Sequence, residues 1–88
     1  MTLRILDSPD PSETVHRLRE AIAAAIPEAR VEVLATSPGH FEIRVCSAIF
    51  EGKPLVRQQQ LVYQAIAPLM SGDAPPVHAI DRLSTRTP

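Results

Sequence analysis

Few side chains in this 88-residue chain can do metal or nucleophile chemistry: His16, His40, His78 and the single cysteine, Cys46. Three histidines and one cysteine, without the close pairing that zinc motifs use, do not make an internal structural zinc site. One cysteine also excludes an internal disulfide, which fits a reducing compartment. Ser47, Ser71 and Ser84 stand in no recognised catalytic context, and neither a carboxylate pair nor a phosphate loop is present. No enzyme is expected. Taken alone, His78 in "PPVHAI" reads as a strand histidine with a hydrogen bond or plain solvent contact. His16, among Arg17, Arg19 and Glu20, reads as a solvated residue on a polar helix face.

The elements that must position these side chains follow from local pattern. Asp10 is a good N-cap, Pro11 follows where a missing N–H costs nothing, and Glu13 completes a capping-box spacing. A first helix is therefore predicted from Pro11, with Val15, Leu18, Ile22, Ala25 and Ile26 on its buried stripe and Pro27 as its stop. "RVEVLA" and "HFEIRVC" alternate with period two around "TSPG", and Pro38-Gly39 suits the centre of a type II turn, which predicts a hairpin. Phe41, Ile43 and Val45 should face the core, with His40, Glu42, Arg44 and Cys46 on the other side. Gly52 and Pro54 break the alternation. A second helix then runs from Pro54 or Leu55 through Leu61, Val62, Ala65, Ile66 and Leu69, with Pro68 kinking or ending it early. "SGDAPP" is an exposed loop, and Val77–Thr85 ("VHAIDRLST") is a third strand in which Val77 and Ala79 share one face and His78 takes the other.

The order α-β-β-α-β predicts an α+β sandwich, a three-stranded sheet with the helices on one face. Residues 1–11 read as an N-terminal extension and 12–88 as one domain, since a chain this short holds one core. That core must come from Ile, Leu, Val and Ala, because only two Phe and one Tyr are available. The formal charge of −1 gives no general attraction to nucleic acid or anionic lipid, so such binding would need a locally basic face. No run approaches the roughly 20 apolar residues that span a bilayer, and "MTLRILDSPD" lacks a secretory apolar region. A soluble cytoplasmic protein, monomeric in isolation, is expected.

Taken in order, the aromatic strand before Val45-Cys46-Ser47, the Phe50-Glu51-Gly52-Lys53 turn, the Val62-Tyr63 pair and His78-Ala79 resemble the BolA-like family over roughly residues 12 to 88. "VRQQQLVY" is similar to the bacterial subgroup with Gln-Gln ahead of its Val-Tyr. Gln59 stands where many members have a histidine, so no ligand role carries to it. The sequence stops at Thr87-Pro88, where relatives usually continue into a short helix beginning near Glu-Trp. The distance from His78 to Thr87-Pro88 is one residue longer than the family's, which predicts a bulge in the last strand.

The resemblance implies a fold similar to the type II KH arrangement and a partnership with a monothiol glutaredoxin, the pair holding a [2Fe-2S] cluster. Such a cluster takes four thiolate or imidazole ligands. The implied division gives one iron to the glutaredoxin thiolate and a glutathione thiol, and the other iron to two ligands from this chain. His78 matches the family's C-terminal histidine ligand; the family's second ligand comes from the loop between the first two strands, where His40 stands. Cys46 is the competing second ligand because thiolate is softer. Six residues of extended strand put it about 20 Å from His40, so both cannot easily bind one small cluster. Relatives are also described as transcriptional regulators of cell shape and stress responses. That implies an alternative, DNA or RNA binding through Lys53, Arg57, Arg82 and Arg86, although the chain lacks the Gly-x-x-Gly with which KH domains clamp backbone. The same basic residues could equally steer an acidic protein partner.

Overall fold

The computed structural model describes residues 10–88; the N-terminal extension expected over residues 1–11 therefore lies, for residues 1–9, outside the described residues. The chain forms α1 (Pro11–Ala25), β1 (Arg30–Ser37), β2 (His40–Cys46), α2 (Leu55–Ile66) and β3 (Ala79–Arg86), with 3₁₀ turns over Ala48–Phe50 and Ala67–Leu69. It is the expected α+β fold, and β2 is its central strand. β1 runs antiparallel to β2, as a two-residue turn allows. β3 runs parallel to β2, which requires the long crossover through α2.

Asp10 caps α1, but through Ser12 instead of Glu13: its carboxylate accepts from the Ser12 amide and hydroxyl, each at 2.9 Å. The Asp10 carboxylate thus satisfies the N2 amide, that of Ser12, and not the amide of Glu13 that the predicted capping box would use. Thr14, Leu18, Ile22 and Ile26 form the buried stripe, whereas Ala25 is exposed. Leu18, Ile22 and Ile26 pack with Phe41, Ile43 and Val45 of β2 and with Val62 and Ile66 of α2. All of these lie on one side of the sheet.

α2 ends at Ile66, two residues before Pro68, and tightens into the 3₁₀ turn that leaves Leu69 buried. Its two central glutamines tie it to neighbouring backbone. Gln58 donates to the Lys53 carbonyl at 2.8 Å and accepts from the Thr85 hydroxyl at 2.7 Å, while Gln59 donates to the Leu83 carbonyl at 3.3 Å. Phe50, fully buried, and Gly52, at φ +78°, turn the chain out of β2 toward α2.

β3 begins at Ala79, two residues later than predicted, and extends to Arg86. Val77 and His78 do not join the ladder because their amides are spent elsewhere. The Val77 amide donates to Leu69 at 3.2 Å, and those of His78 and Ala79 both donate to the Gly39 carbonyl, at 2.7 and 3.1 Å. The predicted bulge is present: the register passes from Phe41↔Ile80 to Glu42↔Arg82, leaving Asp81 without a partner. Among the described residues no helix is long and apolar enough to cross a membrane.

Candidate functional site

The β1–β2 turn is where sequence and backbone converge on the candidate ligands. Pro38 and Gly39 form it, and Gly39 adopts φ +78°, a conformation open to glycine at little cost. The absent side chain matters as much as the dihedral. A Cβ at Gly39 would fall 2.6 Å from Nδ1, 2.8 Å from Cγ and 3.1 Å from Cε1 of His78, so the imidazole occupies space that any other residue would fill. Val77 is buried and roots the segment in the core, whereas His78 is exposed. Backbone bonds to Gly39 thus fix the position of His78, and its ring is left at the surface.

That ring borders a cleft of about 650 Å³ between the start of α1, the β1–β2 turn and the loop preceding β3. Pro38, Pro75 and Pro76 contribute to its walls, and Phe41 to its lining. The walls are mostly apolar, with His78 among the few polar groups, an arrangement suited to a site that fixes a ligand with few directed contacts.

His40 opens β2 on the face opposite Phe41, as predicted, and its side chain is 40% exposed. His40 Nδ1 lies 2.9 Å from Asp81 Oδ1, and the other Asp81 oxygen accepts from the Thr36 hydroxyl at 2.9 Å. The hydrogen bond from His40, then that from Thr36, holds the Asp81 carboxyl below its ordinary range. An ionised carboxylate only accepts, so the proton of the His40 contact resides on Nδ1, and in the neutral imidazole Nε2 then carries the lone pair. Neither Asp81 nor Thr36 was singled out by residue type. The one signal of Asp81 was the extra residue in the last strand.

His40 and His78 meet at one end of the sheet. His40 is in register with Ala79, the first residue of β3, and His78 immediately precedes it. They address different sides: His78 borders the cleft, and His40 stands beside Asp81 on the open face. Among the described residues no group of three or more His, Cys, Asp or Glu is arranged to hold a metal ion. Two imidazoles are a donor set for half of a cluster whose remaining ligands come from elsewhere.

Cys46 closes the far end of β2 and is half-buried. It sits in a row with Arg30 of β1 and Arg86 of β3, beside Arg44, around a depression of about 300 Å³. The separation from His40 expected along an extended strand is therefore kept.

The four basic residues considered for nucleic acid do not share a surface. Lys53 is half-buried, and its ammonium donates to the Ile49 carbonyl at 2.8 Å, closing the turn before α2. Arg57 follows in the first turn of α2, on the helical side of the sheet. Arg82 and Arg86 lie in register with Glu42 and Cys46 on the opposite side. His16 stands on the exposed flank of α1, 3.2 Å from Glu20.

Comparison with known proteins agrees with this architecture. The family model for BolA-like proteins matches residues 15–88. A BolA homologue from Coxiella burnetii is 33% identical, with a TM-score of 0.68 over 83% of this chain and 88% of that one. BolA1 from Arabidopsis thaliana is 26% identical, with a TM-score of 0.65 over 84% and 90%. The BolA domain of SufE1 from the same plant is 25% identical, with a TM-score of 0.66 over 85% and 92%. No curated protein matches the sequence. With the helix-strand order, the mixed sheet and the family match all covering the same residues, the chain belongs to the BolA-like protein family.

Proposed function

We propose that this chain is a non-catalytic iron–sulfur adaptor of the cytoplasm. It docks on a monothiol glutaredoxin and shares a [2Fe-2S] cluster with it, for cluster transfer or iron regulation. His78 is the leading ligand from this chain and His40 the second; the glutaredoxin thiolate and a glutathione thiol complete the set. The observation that carries the reading is His78 itself. Its amide and that of Ala79 both donate to the Gly39 carbonyl, and its ring lies exposed beside an apolar cleft, at the end of the sheet where His40 contacts Asp81 through Nδ1.

The chemistry supports sharing. Imidazole can replace thiolate on one iron of a [2Fe-2S] cluster, as Rieske-type centres do. One chain with two imidazoles at the same end of its sheet and a remote cysteine offers half of the donors the cluster needs, the His40 and His78 rings turning toward a common iron when the partner docks. The cluster itself is cargo; this chain's residues bind, orient and shield it. The test is anaerobic titration of a cluster-loaded monothiol glutaredoxin with this protein, followed by visible circular dichroism. A new spectrum should appear with the wild type and change in His78→Ala and His40→Ala. Unchanged spectra in both variants would refute the ligand assignment.

The second reading, a DNA- or RNA-binding regulator, is less favoured because Lys53 and Arg57 are separated by the sheet from Arg82 and Arg86. Phosphate contacts release counterions, so that activity would weaken steeply with salt.

A further inference from the structure

The bulge in β3 places a carboxylate where a regular strand would not. Ile80 pairs with Phe41 and Arg82 with Glu42, so Asp81 is the residue left over. In an unbroken ladder residue 81 would stand opposite Glu42, carboxylate facing carboxylate, a repulsive cross-strand pair. The extra residue instead sets Arg82 opposite Glu42 and leaves Asp81 unpaired in the ladder. A bulged residue is free to be re-aimed. Here the side chain reaches back along the sheet to His40.

Both oxygens of that carboxylate are engaged, Oδ1 by His40 Nδ1 and Oδ2 by the Thr36 hydroxyl, each at 2.9 Å. Thr36 is itself skipped in the β1–β2 register, between Ala35 and Ser37. Irregularities on both sides of β2 therefore bring Thr36, Asp81 and His40 together. Binding at two oxygens restricts rotation of the carboxylate, and the carboxylate in turn orients the ring. Metal-binding histidines commonly donate their second N–H to such a partner, which selects the tautomer and fixes the ring plane.

We propose that the β3 bulge makes Asp81 a positioning residue for His40, holding hydrogen on Nδ1 and presenting Nε2 as the donor atom to the shared cluster. This rests on the reading of His40 as a ligand. Thr36 restrains Asp81 and makes the arrangement a three-residue chain from β1 through β3 to β2. The same contacts also pin the hairpin end to β3, so a stability change alone does not identify the role.

The ring nitrogens report it directly. Long-range ¹H–¹⁵N spectra of the full chain at pH 8, above the ordinary imidazole range, should show His40 in its Nδ1–H form. Asp81→Ala should move it away from that form, and Asp81→Asn, whose amide oxygen can still accept, should largely restore it. In the complex with a monothiol glutaredoxin, Asp81→Ala should weaken cluster retention against a chelator by about 10- to 100-fold, the usual scale for losing such a partner. Far-UV circular dichroism checks that each variant is folded, and the tautomer of His40 in the wild type carries the test if Asp81→Ala is not.

Wild-type His40 in the Nε2–H form would overturn the inference. So would wild-type retention in Asp81→Ala where His40→Ala loses the cluster, and in that case the ligand reading stands. Unchanged retention in His40→Ala would instead overturn the ligand reading, and this inference with it.

Discussion

A methyl group added at Gly39 meets the His78 ring, and the same methyl added at Gly52 meets nothing within 4 Å. Both glycines sit at φ +78°, so Gly39→Ala and Gly52→Ala incur the same kind of backbone strain. A left-handed conformation costs a non-glycine residue about 1–2 kcal/mol. Reduced freedom of the unfolded chain returns about 0.4–1 kcal/mol for glycine to alanine. The net expectation for Gly52→Ala is roughly 1 kcal/mol, or about 4–8 °C in Tm for a domain of this size.

Gly39→Ala adds a steric conflict with the base of the imidazole as well as its edge, at 2.6–3.1 Å. Hydrogen bonds from the His78 and Ala79 amides to the Gly39 carbonyl hold the backbone there, so the ring must rotate away. An exposed ring can do so cheaply. Thermal melts of the two variants should therefore lie close together, while only Gly39→Ala shifts the His78 imidazole resonances and alters the spectrum of the shared cluster. Equal effects of both variants on His78 would refute the claim that Gly39 holds the space for the ring.

Other expectations follow from single contacts. Gln58→Ala removes the bonds to the Lys53 carbonyl and the Thr85 hydroxyl; at about 0.5–1.5 kcal/mol each, it should cost roughly 1–3 kcal/mol. Urea denaturation measures this, and a cost near zero would show that α2 is held to β3 by apolar packing alone. The Ser12 amide, then the Ser12 hydroxyl, lowers the Asp10 carboxyl from its ordinary 3.8. Because the folded value is the lower one, the stabilisation is present above 3.8 and is lost as pH falls through the folded value. The Tm difference between wild type and Asp10→Ala should shrink over that acidic window; a difference that grows there would contradict the cap.

Most of the frame was legible because single residues punctuate it. Asp10-Pro11 opens α1, Pro38-Gly39 makes the hairpin turn and Pro68 closes α2 early. Alternation correctly assigned Phe41, Ile43 and Val45 to the core. The start of β3 was not legible, since it depends on the amides of His78 and Ala79 both turning to one distant carbonyl. Glu13 had the right spacing for a capping box, but spacing could not show that Ser12 would take the Asp10 carboxylate. Lys53 looked like a free cation because residue type does not reveal a carbonyl within reach.

At the site, His40 and His78 were visible by type, and their meeting at one end of the sheet required the parallel pairing of β2 with β3. The added residue before Thr87-Pro88 announced a bulge. Its consequence, a carboxylate turned toward His40, appears only once the register is known.

The proposed sharing of a cluster requires histidine nitrogens of this chain at an iron, and nitrogen hyperfine coupling reads those atoms. The protein should be labelled with ¹⁵N-histidine, combined with unlabelled monothiol glutaredoxin and glutathione, loaded with the cluster, reduced and measured by pulsed electron–nuclear double resonance. Strong ¹⁵N coupling is predicted for the wild type, with one component lost in His78→Ala. A complex that forms and carries the cluster without any ¹⁵N coupling from the labelled chain would contradict the account.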